Sequence, residues 1–396
     1  MMAMGIQAFS TIEEQAGAAG AVWERSFPGT LAAARRLFVP YRICPLGAHI
    51  DHQGGPVLGR TIPAGTLLLY VPQDEPVVRL ASARFPGQAA FPIGAPVEPG
   101  HWARYAQAAA LALGRTFKLR HGFSGVVNGS LVAAGLASSA SVGLAYLQAL
   151  AGANGITLSR AQLIDLDLAL ERTFLGLENG IQDQSAILHG TDDSLVLTDT
   201  RRRQATLIAD PPAAAGAAWL IVYSGVSREL TVGGDFNRRV QECRQATRWL
   251  HPEAEMLSDV PEAEYERRAQ AMPENLRLRA AHYFSEVERV KAGAQAWQTG
   301  DLEGFGDLMN RSCESSIHQY QSAAEPIISL QRIVRQAPGV YGGRFSGGGG
   351  GGCVVALVAR DRMEQAASQI LSRYRQRYPR HGRSAAAFDG SGPLRV

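Results

Sequence analysis

Six consecutive glycines, Gly347 to Gly352, stand in the stretch "GGRFSGGGGGGCVV". Glycine loses more backbone freedom on folding than any other residue, so ordering such a run carries a large entropic cost. The run is either a flexible linker or a loop whose backbone must lie very close to something else. Its neighbours favour the second reading, since long helical segments precede it and the apolar strand "CVVALVA" follows directly. A packed loop of this kind needs substantial α and β structure on both sides. With 396 residues, 46% of them hydrophobic, the chain can build two domains with ample cores.

The remaining patterning agrees with mixed α and β structure. "FVPYRI", "TLLLYVP", "FSGVVNGSLV" and "DSLVLTD" read as strands. "SSASVGLAYLQALAG" reads as a helix closed by glycine, and "SRAQLIDLDLALERTF" as another, with Ser159 as its N-cap. "ADPPAAAGAA" has no periodicity and is the linker candidate, which places domains at 1–208 and 217–396. Beyond it come the strand "AWLIVYS", helices over 235–250, 277–298 and 301–320, a helix at "RMEQAASQILSRYRQRY" and a last strand near "AAAFDG". A net charge of +3 demands neither nucleic acid nor an anionic membrane as partner. No secretory signal and no bilayer-length apolar stretch is visible, and Cys44, Cys243, Cys313 and Cys353 are widely spaced. These features set the expectation of a cytoplasmic protein with reduced thiols.

Two further stretches carry chemistry. "AAGLASSAS", Ala133 to Ser141, joins a strand to a helix, and its small residues let a backbone approach an anion at the helix N-terminus. A tight serine-capped turn explains it equally well. It lacks the G-K-[ST] ending of a Walker loop and the G-x-G-x-x-G of a dinucleotide fold. In "ERTFLGLENGIQDQSA", Glu171 lies in the last turn of a helix, where the dipole disfavours a negative charge. A cation nearby would account for it, as would a surface ion pair.

Together with "YRICPLGAHIDHQGGP", these stretches resemble the galactokinase/homoserine kinase/mevalonate kinase superfamily, and within it the galactokinase branch. The polar loop is similar to R-x-N-x-I-G-E-H-x-D-Y-x-G-G, "AAGLASSAS" to G-G-G-L-S-S-S-A-S, "ENGIQDQ" to C-G-I-M-D-Q, and the glycine run to the third motif. The resemblance implies an α+β fold of two domains, the N-terminal one like ribosomal protein S5 domain 2 and the C-terminal one ferredoxin-like, with the active site between them. It implies ATP and Mg2+ as cofactors and a small-molecule sugar as substrate. Asp183 matches the catalytic aspartate and Arg42 its arginine; Ser139 and Glu171 match the groups that hold the metal. Ala134, Gly135, Leu136, Ser138, Gly348 and Gly349 match nucleotide-binding positions. Trp102 matches an aromatic against adenine, with an ordinary core tryptophan as the alternative. His49, Asp51 and Gly180 match sugar-binding positions.

Three positions depart from the branch. Ala48 stands where galactokinases have Glu, Phe236 where a tyrosine commonly lines the sugar pocket, and Asn179 where Cys is usual. Losing an acid beside His49 removes negative charge and creates room, which suits a sugar bearing a C6 carboxylate. "PYRICPLGAHIDHQGG" is also similar to the motif of plant galacturonokinases, so the expected reaction is phosphorylation of the anomeric hydroxyl of D-galacturonate. Arg228 and His52 are the candidates to meet the carboxylate. A galactokinase or arabinokinase-like activity is the alternative; a non-catalytic sugar and ATP sensor ranks below it. Nucleic-acid binding through the basic, aromatic "SRYRQRYPRHGR" ranks lower still, against a solvated helix end.

Overall fold

The computed structural model describes residues 5–27, 31–227 and 235–393. In chain order its strands are β1 (Ile6–Gln7), β2 (Arg35–Leu46), β3 (Val57–Gln73), β4 (Val77–Ser82), β5 (Gln88–Pro92), β6 (Gly122–Gly129), β7 (Ser194–Asp199), β8 (Gln204–Ala209), β9 (Ala217–Tyr223), β10 (Val340–Phe345), β11 (Cys353–Ala359) and β12 (Ala386–Asp389). They form two sheets. The first has the order β5-β4-β6-β3-β7-β8, with β2 paired antiparallel to β3; the second runs β1-β12-β9-β11-β10. The chain passes from one to the other through residues 210–216, where Pro212–Gly216 makes a single 3-10 turn. β1 joins the second sheet, lying parallel to β12.

The helices are α1 (Ile12–Ser26), α2 (Arg104–Gly114), α3 (Ser138–Ala153), α4 (Arg160–Ala169), α5 (Gln182–His189), α6 (Asp235–Leu250), α7 (Glu262–Arg268), α8 (Glu274–Thr299), α9 (Leu302–His318), α10 (Glu325–Arg335), α11 (Met363–Arg377) and the single turn α12 (Pro379–Gly382). α4 starts at the Ser159 cap, where Ser159 Oγ accepts from Gln162 N while the Gln162 side chain bonds back to Ser159 N. Thr11 and Glu14 make the same box for α1. The sequence reading set no helix over α1 or α2. α1 is rich in Ala and Gly and lacks a clear apolar stripe, while α2 begins at Ala103 without a side-chain cap. β6 stops at Gly129, short of the expected Val132.

Three apolar layers hold the halves together. α2 and α3 cover the first sheet with Ala106, Ala109, Leu144 and Leu147. α10 and α11 cover the second with Leu330, Val334, Ile370 and Leu371. Between them lies a shared core in which Tyr41, Ile43 and Leu136 of the first half meet Trp219, Trp297 and Phe305 of the second. Among the described residues no helix is long and apolar enough to cross a membrane.

Candidate active site

A cleft of about 410 Å3 opens between the two sheets, lined from both sides by residues of the four sequence motifs. Its first wall is almost entirely backbone. Ala133, Gly135 and Ala137 all have left-handed φ values, at 55°, 77° and 60°, alternating with residues of ordinary backbone conformation up to the start of α3. Such alternation turns successive N–H groups to one side, which is a concavity for anions. Ala137, at the N-cap of α3, offers no side chain to the first-turn N–H groups, and these remain available to a ligand.

The glycine run packs directly on this loop. A Cβ on Gly135 would sit 2.2 Å from the Ser346 carbonyl, and one on Gly347 would sit 2.7 Å from Gly135 Cα. Gly352 is equally close to Ala134, and Gly349 to the Ser322 carbonyl. Ser346 Oγ donates to the Gly135 carbonyl at 2.7 Å. The glycines are therefore a tight backbone joint rather than a linker. Gly348 and Gly349 line the cleft, whereas Ala134 and Leu136, expected there too, are fully buried in the shared core and do not line it.

Arg42 stands where the two walls meet. A register shift between Pro40 and Tyr41 precedes it in β2, the kind of local irregularity that re-aims a strand. Its Nε and Nη2 donate to Asp183 Oδ1 at 2.9 and 2.7 Å, and its Nη1 donates to the Gly135 carbonyl at 3.0 Å. Both bonds to Asp183 fall on Oδ1. Oδ2 keeps no protein partner among the described residues and belongs to a carboxylate that lines the cleft. Asp183 sits in the first turn of α5.

Glu171 lies behind Asp183 in a widened turn, Leu170–Phe174, that ends the α4 segment with a Leu175 N to Leu170 O bond of 3.2 Å. Such turns are frequent at functional sites. The residue is 1% exposed. Burial, then the Asp183 charge, pushes its carboxyl up to about 7, against hydrogen bonds from Asn179, Ser139 and Gln184. Asn179 Nδ2 donates to Glu171 Oε2, which gives the unusual Asn a function in placing that carboxylate. Asp167 adjoins the pair, with burial and the Glu171 charge pushing its pKa up too. Gln184 Nε2 bonds both acids, at 2.7 and 3.0 Å. Two oxygen donors, the Ser139 hydroxyl and the Glu171 carboxylate, next to excess buried negative charge, fit a hard divalent cation completed by phosphate and water oxygens.

The far end of the cleft is built from side chains. His49, held at φ 65°, stacks on Tyr320 with ring centroids 4.5 Å apart, and its Nε2 meets Ser322 Oγ at 3.1 Å. Burial and the nearby His282, Arg344 and His52 push its pKa well down, so the ring is neutral. Its loop is fixed from α8: Gly47 N donates to Glu286 Oε1 at 2.7 Å and His282 Nε2 lies 3.0 Å from the Ala48 carbonyl. Asp51 Oδ2 accepts from Gln182 N at 3.2 Å, and a Cβ on Gly180 would fall 2.4 Å from that oxygen. Burial and Asp183 push the Asp51 carboxyl up to about 6. Phe236 lines the cleft and meets His52 edge to face at 6.3 Å.

Two expectations change here. Burial pulls the His52 imidazole down to about 3, and its ring nitrogens are taken by Tyr320 OH and the Gln53 amide, so His52 supplies no positive charge to a carboxylate. Arg228 lies outside the described residues. Trp102 lines the opposite end, stacked between Phe85 and His101 with centroids at 6.3 and 5.8 Å. Sequence reasoning missed Tyr320, Ser322 and Ser346. Ser346 abuts the glycine run and was within reach of it; "QYQSAAE" carries no signal beyond following a helix.

Comparison with known proteins agrees with this geometry. Residues 104–191 match the GHMP kinases N terminal domain and residues 290–379 the GHMP kinases C terminal domain. The chain is 41% identical over 372 residues to a galacturonokinase of Arabidopsis thaliana, covering 87% of this chain and 88% of the relative. It is 30% identical to a galactokinase of Limosilactobacillus fermentum, over 89% and 92% of the two chains. The crystal structure of Lactococcus lactis galactokinase complexed with galactose superposes with a TM-score of 0.88 at 26% identity, covering 96% of this chain and 99% of that one. The chain belongs to the GHMP kinase family, as a sugar kinase of the branch that holds the galactokinases and galacturonokinase.

Proposed function

We propose that this kinase transfers the terminal phosphoryl group of ATP to the anomeric hydroxyl of D-galacturonate, giving galacturonic acid 1-phosphate and ADP. The observation that carries the chemistry is the one-sided Arg42–Asp183 pair. With both arginine bonds on Oδ1, Oδ2 is left to receive the acceptor hydroxyl and its proton as the phosphoryl group departs. Arg42, bonded to both Asp183 and the Gly135 carbonyl, offsets the carboxylate's charge and fixes it relative to the phosphate loop. The loop's backbone N–H groups and Ser138 receive the triphosphate, and Trp102 with Phe85 forms the wall for the base. Ser139 and Glu171 would hold Mg2+, which would supply charge neutralisation on the phosphates. His49 and Asp51 orient the sugar hydroxyls. The domain boundary falls in the 208–217 segment.

The choice of a uronate rests on the 41% identical galacturonokinase and on Ala48, which is small and buried at the anchored loop. The likeness to a galactose-bound galactokinase favours galactose as a second, poorer acceptor. The test is ATP consumption over galacturonate, glucuronate, galactose and arabinose, with the product's phosphate position fixed by NMR. Galacturonate giving the highest kcat/KM and a C1 phosphate supports the assignment; galactose exceeding it by tenfold overturns it.

A further inference from the structure

A uronate brings a carboxylate into a cleft that two acids, Asp183 and Asp235, already line. Some cation has to face that group. Among the described cleft-lining arginines, Arg42 is saturated by Asp183 and two oxygens of the phosphate-loop joint. Arg84 donates to the Gly129 and Ser130 carbonyls, and Arg104 is engaged elsewhere, its guanidinium 5.6 Å from the Tyr105 ring. Arg239 differs from all three.

Arg239 lies one turn into α6, three residues after Phe236, and lines the cleft beside Phe236, Tyr320 and Ser322. Among the described residues its one hydrogen bond is from Nη1 to the Asp235 carbonyl at 3.2 Å, its Nε is buried without a partner, and no carboxylate pairs with the guanidinium. The Asp235 side chain, which also lines the cleft, is 3.4 Å from Arg238 instead. Burial pulls the Arg239 pKa down, and its charge is felt at both Tyr320 and His49, which places it at the sugar end. A half-buried guanidinium with no carboxylate partner among the described residues gains most from an anionic ligand in the cleft.

Resting on the galacturonate reading above, we infer that Arg239 is the specificity-determining residue that receives the C6 carboxylate of the substrate, through its terminal guanidinium nitrogens. An arginine presents two parallel donors in the geometry a carboxylate matches, which a neutral C6 hydroxyl cannot use fully. Discrimination by an unsatisfied half-buried polar group also accounts for how the pocket selects an acid after losing the tyrosine hydroxyl at position 236.

The test compares galacturonate with its C6 methyl ester, which keeps the ring and removes the charge, in wild type and in Arg239→Gln and Arg239→Lys. Wild type is expected to prefer the acid, and Arg239→Gln to lower that preference about 10- to 100-fold, chiefly through KM of the acid. Arg239→Lys, which keeps the charge without the fork, is expected to fall between them. Equal losses on acid and ester in Arg239→Gln, or an unchanged preference, overturn the inference. If wild type fails to phosphorylate galacturonate at all, the parent reading falls instead, and the two failures are told apart before any variant is made. Thermal unfolding of each variant separates a collapsed pocket from a changed preference: loss of Tm with loss of both activities counts against the inference, and the lysine variant then repeats the comparison in a folded protein.

Discussion

The two ends of the cleft are made of different material. The phosphate wall is backbone against backbone, with Gly135, Gly347, Gly349 and Gly352 each too close to a neighbouring main chain to carry a side chain. The sugar end is side chain against side chain, His49 on Tyr320 and Ser322, with Phe236 and Arg239 from α6. On the proposed reading, the first fixes a shape that any nucleoside triphosphate shares. The second fixes a set of functional groups, which can be exchanged without disturbing the wall opposite. One family can thus keep its donor and vary its acceptor.

That contrast can be broken most severely at its seam. Asp183→Asn should reduce kcat by roughly 1000-fold or more while changing sugar KM only a few-fold, read by steady-state kinetics; unchanged turnover would remove Asp183 from the chemistry. At the backbone wall, adding a single carbon should be enough. Gly135→Ala, at φ 77° and facing the Ser346 carbonyl, is expected to cost about 2–3 kcal/mol and to weaken ATP binding. Gly87→Ala, at φ 84° with open space around it, should cost about 1 kcal/mol and leave ATP binding alone. Denaturant unfolding and nucleotide titration of the pair isolate close approach from backbone strain.

At the sugar end, a functional group has to change instead. Ala48→Glu should lower the ratio of galacturonate to galactose kcat/KM by about 10-fold or more, and a ratio that stays put refutes the charge argument. The smallest effect concerns pH. Glu171 and Asp51 have folded pKa values raised to about 7 and 6. The stability they contribute is therefore complete below their ordinary carboxylate values and is lost as pH rises through the raised ones. Without nucleotide or Mg2+, Tm should fall between pH 5 and 8, and the fall should be about 2–4 °C smaller in Glu171→Gln; an identical fall in both proteins places the titration elsewhere.

The same contrast governs what could be read from the sequence. A backbone wall leaves its mark in consecutive residues, because only small residues satisfy it; the glycine run and "AAGLASSAS" were visible for that reason. α6 and α8 were read as long helical segments, with α6 at the expected 235–250 and α8 beginning three residues before the expected 277. α1 and α2, alanine-rich, were not. Tyr320 and Ser322 were missed because their function comes from the residues they meet, some 270 positions away in His49, and nothing local encodes that meeting. The placement of Glu171 was legible as an oddity, but its Gln184 and Asp167 neighbours were not.

The apolar layer that Tyr41, Ile43 and Leu136 share with Trp219, Trp297 and Phe305 has a practical corollary. Neither half owns a finished surface there: expressed separately, each would bare large aromatic and aliphatic patches and aggregate. A nick at the exposed Pro212–Gly216 turn, by contrast, severs the chain where little is packed, so the two fragments should stay bound and keep turning over substrate.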